Sequence, residues 1–584
     1  MNYLKMLRYL MPYFLIAIFA PLFLFLEVQM NLLIPDTMEK VVDLGIVSGK
    51  IDRILYYGGY MLLYAFLGIL FALTSNFFAT WASSKMVHDI RVDTFRKALT
   101  MSFSSLDELQ TGEVITRATS DVNRLRWVTR VSLRLFFRAP MMLVGALIMA
   151  YRKSKNLSVV FLIIIPLIAL TNWLIIRKAA PLFRKMQEKL EAVNTFTHEI
   201  LKNIRVVKAF NRGDYAIGQF DVKIDELKET TERAHFITLF NYPITSTIIN
   251  LSIVAILYFG GREVIAQHGT DAASLSLGRI IAFINYLWQV VNSIMMFNRI
   301  INLYPQAEAS SKRLLELLET DYTMSSQNLV TADSGHEFKG EITFKNVSFS
   351  YDGKKKVLDR ISFTVKPGQR LGIIGTTGAG KSTLISLIPR YYDATEGEVL
   401  IDGINVKDYD LHYLRSNISM VMQRPLLFSG TIGDNVRFAR MDADEEEMIQ
   451  ATQIADAYEF IVRYPDRFDS IIGQRGINLS GGQKQRISMA RSIITEPKIL
   501  IFDDSTSAVD MQTEARILSA LQKKTKGTTT IIIAQRIQSI IDCDQILVLE
   551  DGKITGLGTH EELLKTNELY RKIYEIQIGS DGDA

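Results

Sequence analysis

A chain of 584 residues with 48 % hydrophobic and 22 % charged side chains is too long for one core and corresponds to about three or four domain-sized units. Its formal net charge of +4 is too small to argue for nucleic acid, and most basic residues stand beside apolar runs, as membrane-flanking charge does. With Cys543 as its single cysteine the chain has no intramolecular disulfide, and that thiol reads as a small buried side chain in a reducing compartment.

The mean hydropathy of +0.14 conceals two halves: nearly all long apolar runs precede Arg299, and the charged, turn-rich sequence follows it. Met1 to Leu10, with Lys5 and Arg8 among apolar residues, reads as a short amphipathic helix on the inner membrane surface. Six stretches then have the length and composition of membrane spans, 11–34, 54–82, 132–151, 157–176, 238–260 and 274–298, each near or above the roughly 20 residues a helix needs. Lys and Arg gather after the second span (Lys85 to Arg130) and after the fourth (Arg177 to Arg212), which puts both segments and both chain ends in the cytoplasm. The short loop Arg152-Lys153-Ser154-Lys155 contradicts this rule, being basic where it should face outward. The two cytoplasmic segments keep a helical period, so the spans are expected to run on beyond the bilayer. Interruptions at 106–112 and 210–214 mark turns at the tips of these extensions, placed to touch a cytoplasmic motor domain.

Polar, turn-forming sequence between about 315 and 340 marks a linker, and short β-rich runs resume at Ile342 and Val347. The strand-like Leu371–Ile374 leads into Gly375-Thr376-Thr377-Gly378-Ala379-Gly380-Lys381-Ser382-Thr383, followed by the start of a helix. A glycine-rich turn between strand and helix aims backbone N–H groups and a helix N-terminus at one point, which suits a polyphosphate. Lys381 supplies a cation for the terminal phosphates and Ser382 a hydroxyl for magnesium. A second strand-like run, Lys498 to Phe502, ends in Asp503-Asp504. A carboxylate at such a strand end can hold that magnesium, and Asp503 is the expected ligand.

Leu479-Ser480-Gly481-Gly482-Gln483 is more specific than the phosphate loop. With it, and with Tyr351, Gln423, Ser507-Ala508-Val509-Asp510 and the ending Gly558–Leu563, the chain resembles the ATP-binding cassette (ABC) exporters in their half-transporter form over nearly its whole length. The resemblance implies a membrane α-helical domain of six transmembrane helices with long cytoplasmic extensions (1–315). A linker (316–340) would join it to an α/β nucleotide-binding domain (341–578) with a disordered tail (579–584). It also implies a multi-pass protein of the cell membrane with its nucleotide-binding domain in the cytoplasm. Two such domains would pair head to tail around two ATP molecules. Each ATP would sit on one phosphate loop, at Gly375, Thr376, Gly378, Ala379, Gly380, Lys381, Ser382 and Thr383, with Tyr351 stacked on adenine. Ser480, Gly482 and Gln483 would close the site of the other chain, and Ser382, Gln423 and Asp503 would hold Mg2+. Asp504, Gln535 and Gln423 would stand at the reacting end.

Two of these positions depart from the family pattern. Asp504 stands where a glutamate usually orients or deprotonates the attacking water, and Gln535 where a histidine usually contacts the γ-phosphate. A side chain one methylene shorter, beside an amide with no cationic form, implies a site that grips Mg-ATP and cuts it slowly. The intact signature would complete a competent site on a partner. Such asymmetry resembles the degenerate-site subunit of a heterodimeric bacterial multidrug exporter, moving amphipathic drugs or lipids. A homodimeric lipid or peptide exporter and an ATP-switched regulatory membrane protein are the alternatives. In the sixth span, Asn285, Gln289, Asn292, Met296 and Arg299 form a polar-edged stripe suited either to amphipathic ligands or to helix packing. Glu27 is a weaker candidate for meeting cationic substrates and would serve equally as a paired acid.

Overall fold

The computed structural model describes residues 2–109, 111–266, 276–319, 330–505, 509–524 and 527–579. Contacts divide the chain into two units, Met1–Leu99 with Gly112–Thr320, and Thr100–Thr111 with Asp321–Ala584. The first unit is all helix. Its main elements are α1 (Phe14–Val41), α2 (Ile51–Thr100), α4 (Val122–Lys153), α5 (Lys155–Lys202), α6 (Gly213–Leu239), α7 (Asn241–Ala266) and α8 (Leu277–Glu319), with the short α3 (Phe103–Leu109) assigned to the second unit. α2 alone has 50 residues, a length of about 75 Å against a hydrocarbon core of about 30 Å.

Five stretches of the described residues, Asn2–Ile46, Ile51–Thr100, Gly112–Lys153, Lys155–Lys202 and Gly213–Ile265, are long and apolar enough to cross a membrane. The sixth expected span begins in residues outside those described and continues into α8. There, amides at Asn285, Gln289 and Asn292 dilute the apolar sequence. The other face of α8 is core: Phe283, Tyr286, Leu287, Val290 and Val291 are fully buried, packed in one cluster with Val28 and Leu32 of α1 and Phe161 and Ile164 of α5. The side chain of Arg299 lies outside the described residues.

One basic residue of the loop at the end of α4, Lys153, is paired locally. Lys153 reaches Asp36, and Glu39 at 2.7 Å, while Arg279 binds Glu39 at 3.2 Å and the Gly278 N–H donates to Asp43 at 2.8 Å. Carboxylates of α1 thus neutralise basic groups at the end of α4 and the start of α8. The Lys153 charge is therefore paired within the fold.

A second polar clasp ties α8 to the π-helical turn Arg117–Asp121 that leads into α4. Asp121, 2 % exposed, accepts from Ser310 Oγ at 2.8 Å and from Arg313 Nε at 2.8 Å, and Arg117 donates to the Arg313 carbonyl at 2.8 Å. Removing one partner strands a buried charge. Asp121→Ala is therefore expected to cost roughly 1–3 kcal/mol, discounted below the buried-pair range because Arg313 is partly exposed. The measurement is the melting temperature of the detergent-solubilised protein, and the exchange Asp121→Arg with Arg313→Asp should recover part of the loss.

The second unit opens with an antiparallel sheet of β1 (Ile342–Phe349), β2 (Leu358–Val365) and, after the phosphate-loop segment, β4 (Glu396–Ile401). A six-stranded sheet follows from β3 (Arg370–Gly375), β5 (Ile418–Val421), β6 (Ile499–Asp503), β7 (Thr529–Ile533), β8 (Gln545–Glu550) and β9 (Lys553–Gly558), in the spatial order β9-β8-β3-β7-β6-β5. Its interior strands are parallel and buried on both faces, so they read as unbroken apolar runs rather than alternating ones. Leu500 and Phe502 of β6 enter one core cluster, and Ile499 and Ile501 the other. The lone Cys543 is buried, and burial pushes its thiol up to about 12, which makes it inert at neutral pH.

Candidate nucleotide site

The loop after β3 forms its turn because three of its glycines do what a side chain would prevent. Gly378 and Gly380 have φ of +83° and +97°, and a Cβ on Gly375 would meet the Leu549 carbonyl oxygen at 2.0 Å. The Gly380 backbone then starts the helix α9 (Lys381–Ser386). The turn borders a cavity of about 530 Å³ lined by Gly375 to Gly378, Gly380 to Thr383, Gln423, Asp503, Asp504 and Gln535. Ala379 is buried beneath it, its N–H on the Thr376 carbonyl at 3.2 Å. Lys381 Nζ donates back to the carbonyls of Gly375 and Thr376 at 3.0 and 2.9 Å. Burial lowers its pKa, and the nearby Asp504 and Asp503 act against that shift.

The acids lie where the parallel strands end. β6 lies beside β7, and β7 beside β3, so Asp503 and Asp504, Gln535 and the phosphate loop all emerge along one sheet edge. Asp503 Oδ1 accepts from Ser382 Oγ at 2.9 Å, an oxygen pair of the type a hard divalent cation takes. Its carboxyl is held above the ordinary range, first by burial and then by the Asp504 charge, with the Ser382 bond opposing. Asp504 stands in the left-handed region, φ +45°. A single oxygen, Asp504 Oδ2, accepts from Gln423 Nε2 at 2.9 Å and also from Gln535 Nε2. The three residues expected at the reacting end are therefore one hydrogen-bonded group.

Ser480 caps helix α10 (Gly481–Ile493) through a reciprocal capping box: Ser480 Oγ accepts from the Gln483 N–H at 3.3 Å and Gln483 Oε1 from the Ser480 N–H at 2.9 Å. Ser480 and Gly481 are exposed, and neither they nor Gly482 and Gln483 line the cavity of their own chain. Tyr351, 56 % exposed, bonds through its hydroxyl to Thr383 Oγ1 at 3.1 Å. In the stripe of α8, Gln289 Nε2 is committed to the Asn31 carbonyl of α1 at 3.1 Å, whereas Asn285 and Asn292 are exposed. Ser507 and Ala508 fall outside the described residues. Glu27 binds Arg138 at 2.8 Å and is thus a paired acid.

One part of the site carries no motif and was missed by sequence reasoning. Leu569 and Ile573, from the C-terminal helix Glu568–Gly579, line the cavity, and Gln577 Nε2 donates to the Gln535 carbonyl at 2.7 Å. The segment Phe103–Leu109 forms a short helix instead of the expected turn. Phe103 packs on Tyr391 with ring centroids 4.3 Å apart, and Tyr392 donates to Asp107 at 2.6 Å. Burial, then the Asp107 bond, raise the Tyr392 pKa, which keeps the phenol protonated as donor.

Residues 17–294 match the ABC transporter transmembrane region and residues 358–507 the ABC transporter family. The chain is 36 % identical over 579 residues to YfiB of Bacillus subtilis, an ABC transporter ATP-binding protein, covering 99 % of each. The chain belongs to the ABC transporter family. This transporter is also 32 % identical over 504 residues to YgaD of Bacillus subtilis, whose name refers to multidrug export, covering 86 % of this chain and 85 % of that one. Its fold is similar to that of a bacterial Atm1-family ABC exporter with ATP bound, at a TM-score of 0.79 and 25 % identity over 96 % of this chain and 98 % of that one. The transporter is therefore a multi-span membrane protein with a cytoplasmic ATP-binding domain, and its ATPase activity is coupled to transport.

Proposed function

We propose that this chain is one subunit of an exporter that moves amphipathic drugs or lipids outward by alternating access, six spans to a chain, with a non-identical half-transporter as partner. Its own phosphate loop grips Mg-ATP and cuts it slowly, while its Ser480–Gln483 signature closes the partner's working site. One observation carries the reading: Asp504, the only acid beside Asp503 among the described residues of the cavity lining, has one carboxylate oxygen taken by two amide donors. Both amides point at the oxygen that would otherwise face an attacking water, and the side chain is one methylene shorter than a glutamate, so the group is poorly placed to reach that water. Lys381 would hold the terminal phosphates, Ser382, Gln423 and Asp503 the magnesium, and Tyr351 the adenine.

Two surfaces support a second chain. The signature helix N-terminus is exposed, and so is the tip around Ile204–Ala209, where Phe210 is 74 % exposed. The 50-residue α2 exceeds the bilayer by enough to carry its end into the cytoplasm. There the contact of Asp107 with Tyr392 would pass movement to the spans. Tyr392→Phe removes one hydrogen bond, worth about 1 kcal/mol. Substrate-stimulated ATPase is expected to fall about fivefold, with unstimulated turnover little changed.

The deciding experiment is to isolate the assembly from its native membrane and weigh its subunits. Two different half-transporters are expected, and a complex of this chain alone would end the proposal. The complete signature and phosphate loop favour, as a second reading, a homodimeric exporter of lipids or peptides. A dye and lipid panel in the ATPase assay separates the cargo classes.

A further inference from the structure

The six apolar stretches contain four charged side chains, Glu27, Arg134, Arg138 and Arg279. Arg279 is neutralised by Glu39. The other three meet one another. Arg138 binds Glu27 Oε1 at 2.8 Å, the Arg134 guanidinium lies 3.8 Å from Oε2, and Arg134 also donates to Asn76 Oδ1 at 3.2 Å. Two guanidinium groups thus share one carboxylate, leaving a surplus positive charge. Arg130 continues the row along α4 at the same spacing of four, which keeps all three on one helix face.

Depth makes that surplus significant. Glu27 precedes Asp36, part of the outer ionic cluster with Lys153, by nine residues, a rise of about 13 Å in a core about 30 Å thick. That is close to the midplane, where an uncompensated charge is expensive and faces protein or a wet cavity instead of lipid. Glu27 is nearly buried, but the Arg134 and Arg138 side chains remain 26 % and 29 % exposed. Buried Arg134 Nε has no hydrogen-bond partner. A guanidinium offers paired donors matched to carboxylate and phosphate, and Glu27 satisfies only part of that capacity.

We infer that Arg134 and Arg138 form a site for the anionic head, a carboxylate or phosphate, of an amphiphile held within the membrane. Glu27 competes for the same donors and keeps them in place when no ligand is bound. The inference rests on the exporter reading and narrows its cargo to anions. Glu27 Oε1 is paired with Arg138, and Oε2 has an ion-pair contact with Arg134 but no hydrogen bond, so positive charge outweighs negative at this site.

The test measures binding of a dansyl-labelled undecanoate and of its methyl ester to the full-length protein in zwitterionic nanodiscs. The carboxylate is expected to bind about tenfold tighter than the ester, the size of one charge-assisted hydrogen bond. Arg138→Gln should abolish that preference and Arg138→Lys keep part of it. Glu27→Gln should tighten carboxylate binding several-fold, because it releases donors, whereas a purely structural role predicts weaker binding. Equal affinity for acid and ester, or weaker carboxylate binding by Glu27→Gln, would overturn the inference. Displacement by millimolar inorganic phosphate would overturn the amphiphile assignment in favour of a free anion. Binding with the expected preference but no transport would count against the exporter reading and leave this site standing.

Discussion

Asp504→Glu combined with Gln535→His is expected to raise ATP turnover at this chain's own site by about 100-fold, the scale attached to a displacement of about 1 Å at a reacting group. The geometry gives both substitutions a reason. Asp504 Oδ2 is shared by the amides of Gln423 and Gln535, so the carboxylate is short and fixed in place. A glutamate carries the oxygens one methylene further into the cavity. A histidine removes one of the competing amides and supplies an imidazole that can carry charge. Each single variant should recover less than the pair, since the two side chains share one hydrogen-bonded group and their effects couple. Steady-state ATPase of the purified transporter, measured for wild type, both singles and the double, reads this directly. Wild type turning over as fast as the double variant would end the degenerate-site reading.

Ser480→Arg should stop transport more completely than any change in this chain's own phosphate loop. Ser480 Oγ caps α10 by accepting from Gln483 N–H, and that cap keeps the Gly481 and Gly482 backbone donors at an exposed helix N-terminus. An arginine removes the cap, at about 1 kcal/mol, and fills the space in front of those donors. Preorganised donors aimed at a reacting phosphate are worth about 100-fold or more in rate, so the partner's site should lose at least that. Lys381→Ala weakens only the slow site and should cost about tenfold in transport, the size of one charge-assisted hydrogen bond. Transport of a fluorescent amphiphile into inverted vesicles ranks the two variants. If Lys381→Ala proved as damaging as Ser480→Arg, the two sites would be doing equal work.

Local chemistry explains which parts of the site were legible. The phosphate loop, the Ser480 cap and the Asp503 strand end are each written in a few adjacent residues, because a positive φ, a helix cap or a buried apolar run is a local requirement. The parts that escaped notice are joined only across the chain: Leu569 and Ile573 against the phosphate loop and Gln577 on Gln535. None has a spacing to betray it. The amides of α8 show the limit from the other side, since one helical stripe contains both a packing residue, Gln289, and exposed ones, Asn285 and Asn292.

By itself the order of residues determined the class of machine: apolar runs of membrane length, a strand-to-helix glycine turn and a capped signature are each consequences of short-range sterics, capping and hydropathy. Tertiary structure decided which charges are free. Lys153 is neutralised by Asp36 and Glu39, Glu27 by Arg138, and Asp504 is held by two distant amides. A charge is defined by what lies within a few ångströms of it, and residues far apart in the chain reach that distance only when it has folded.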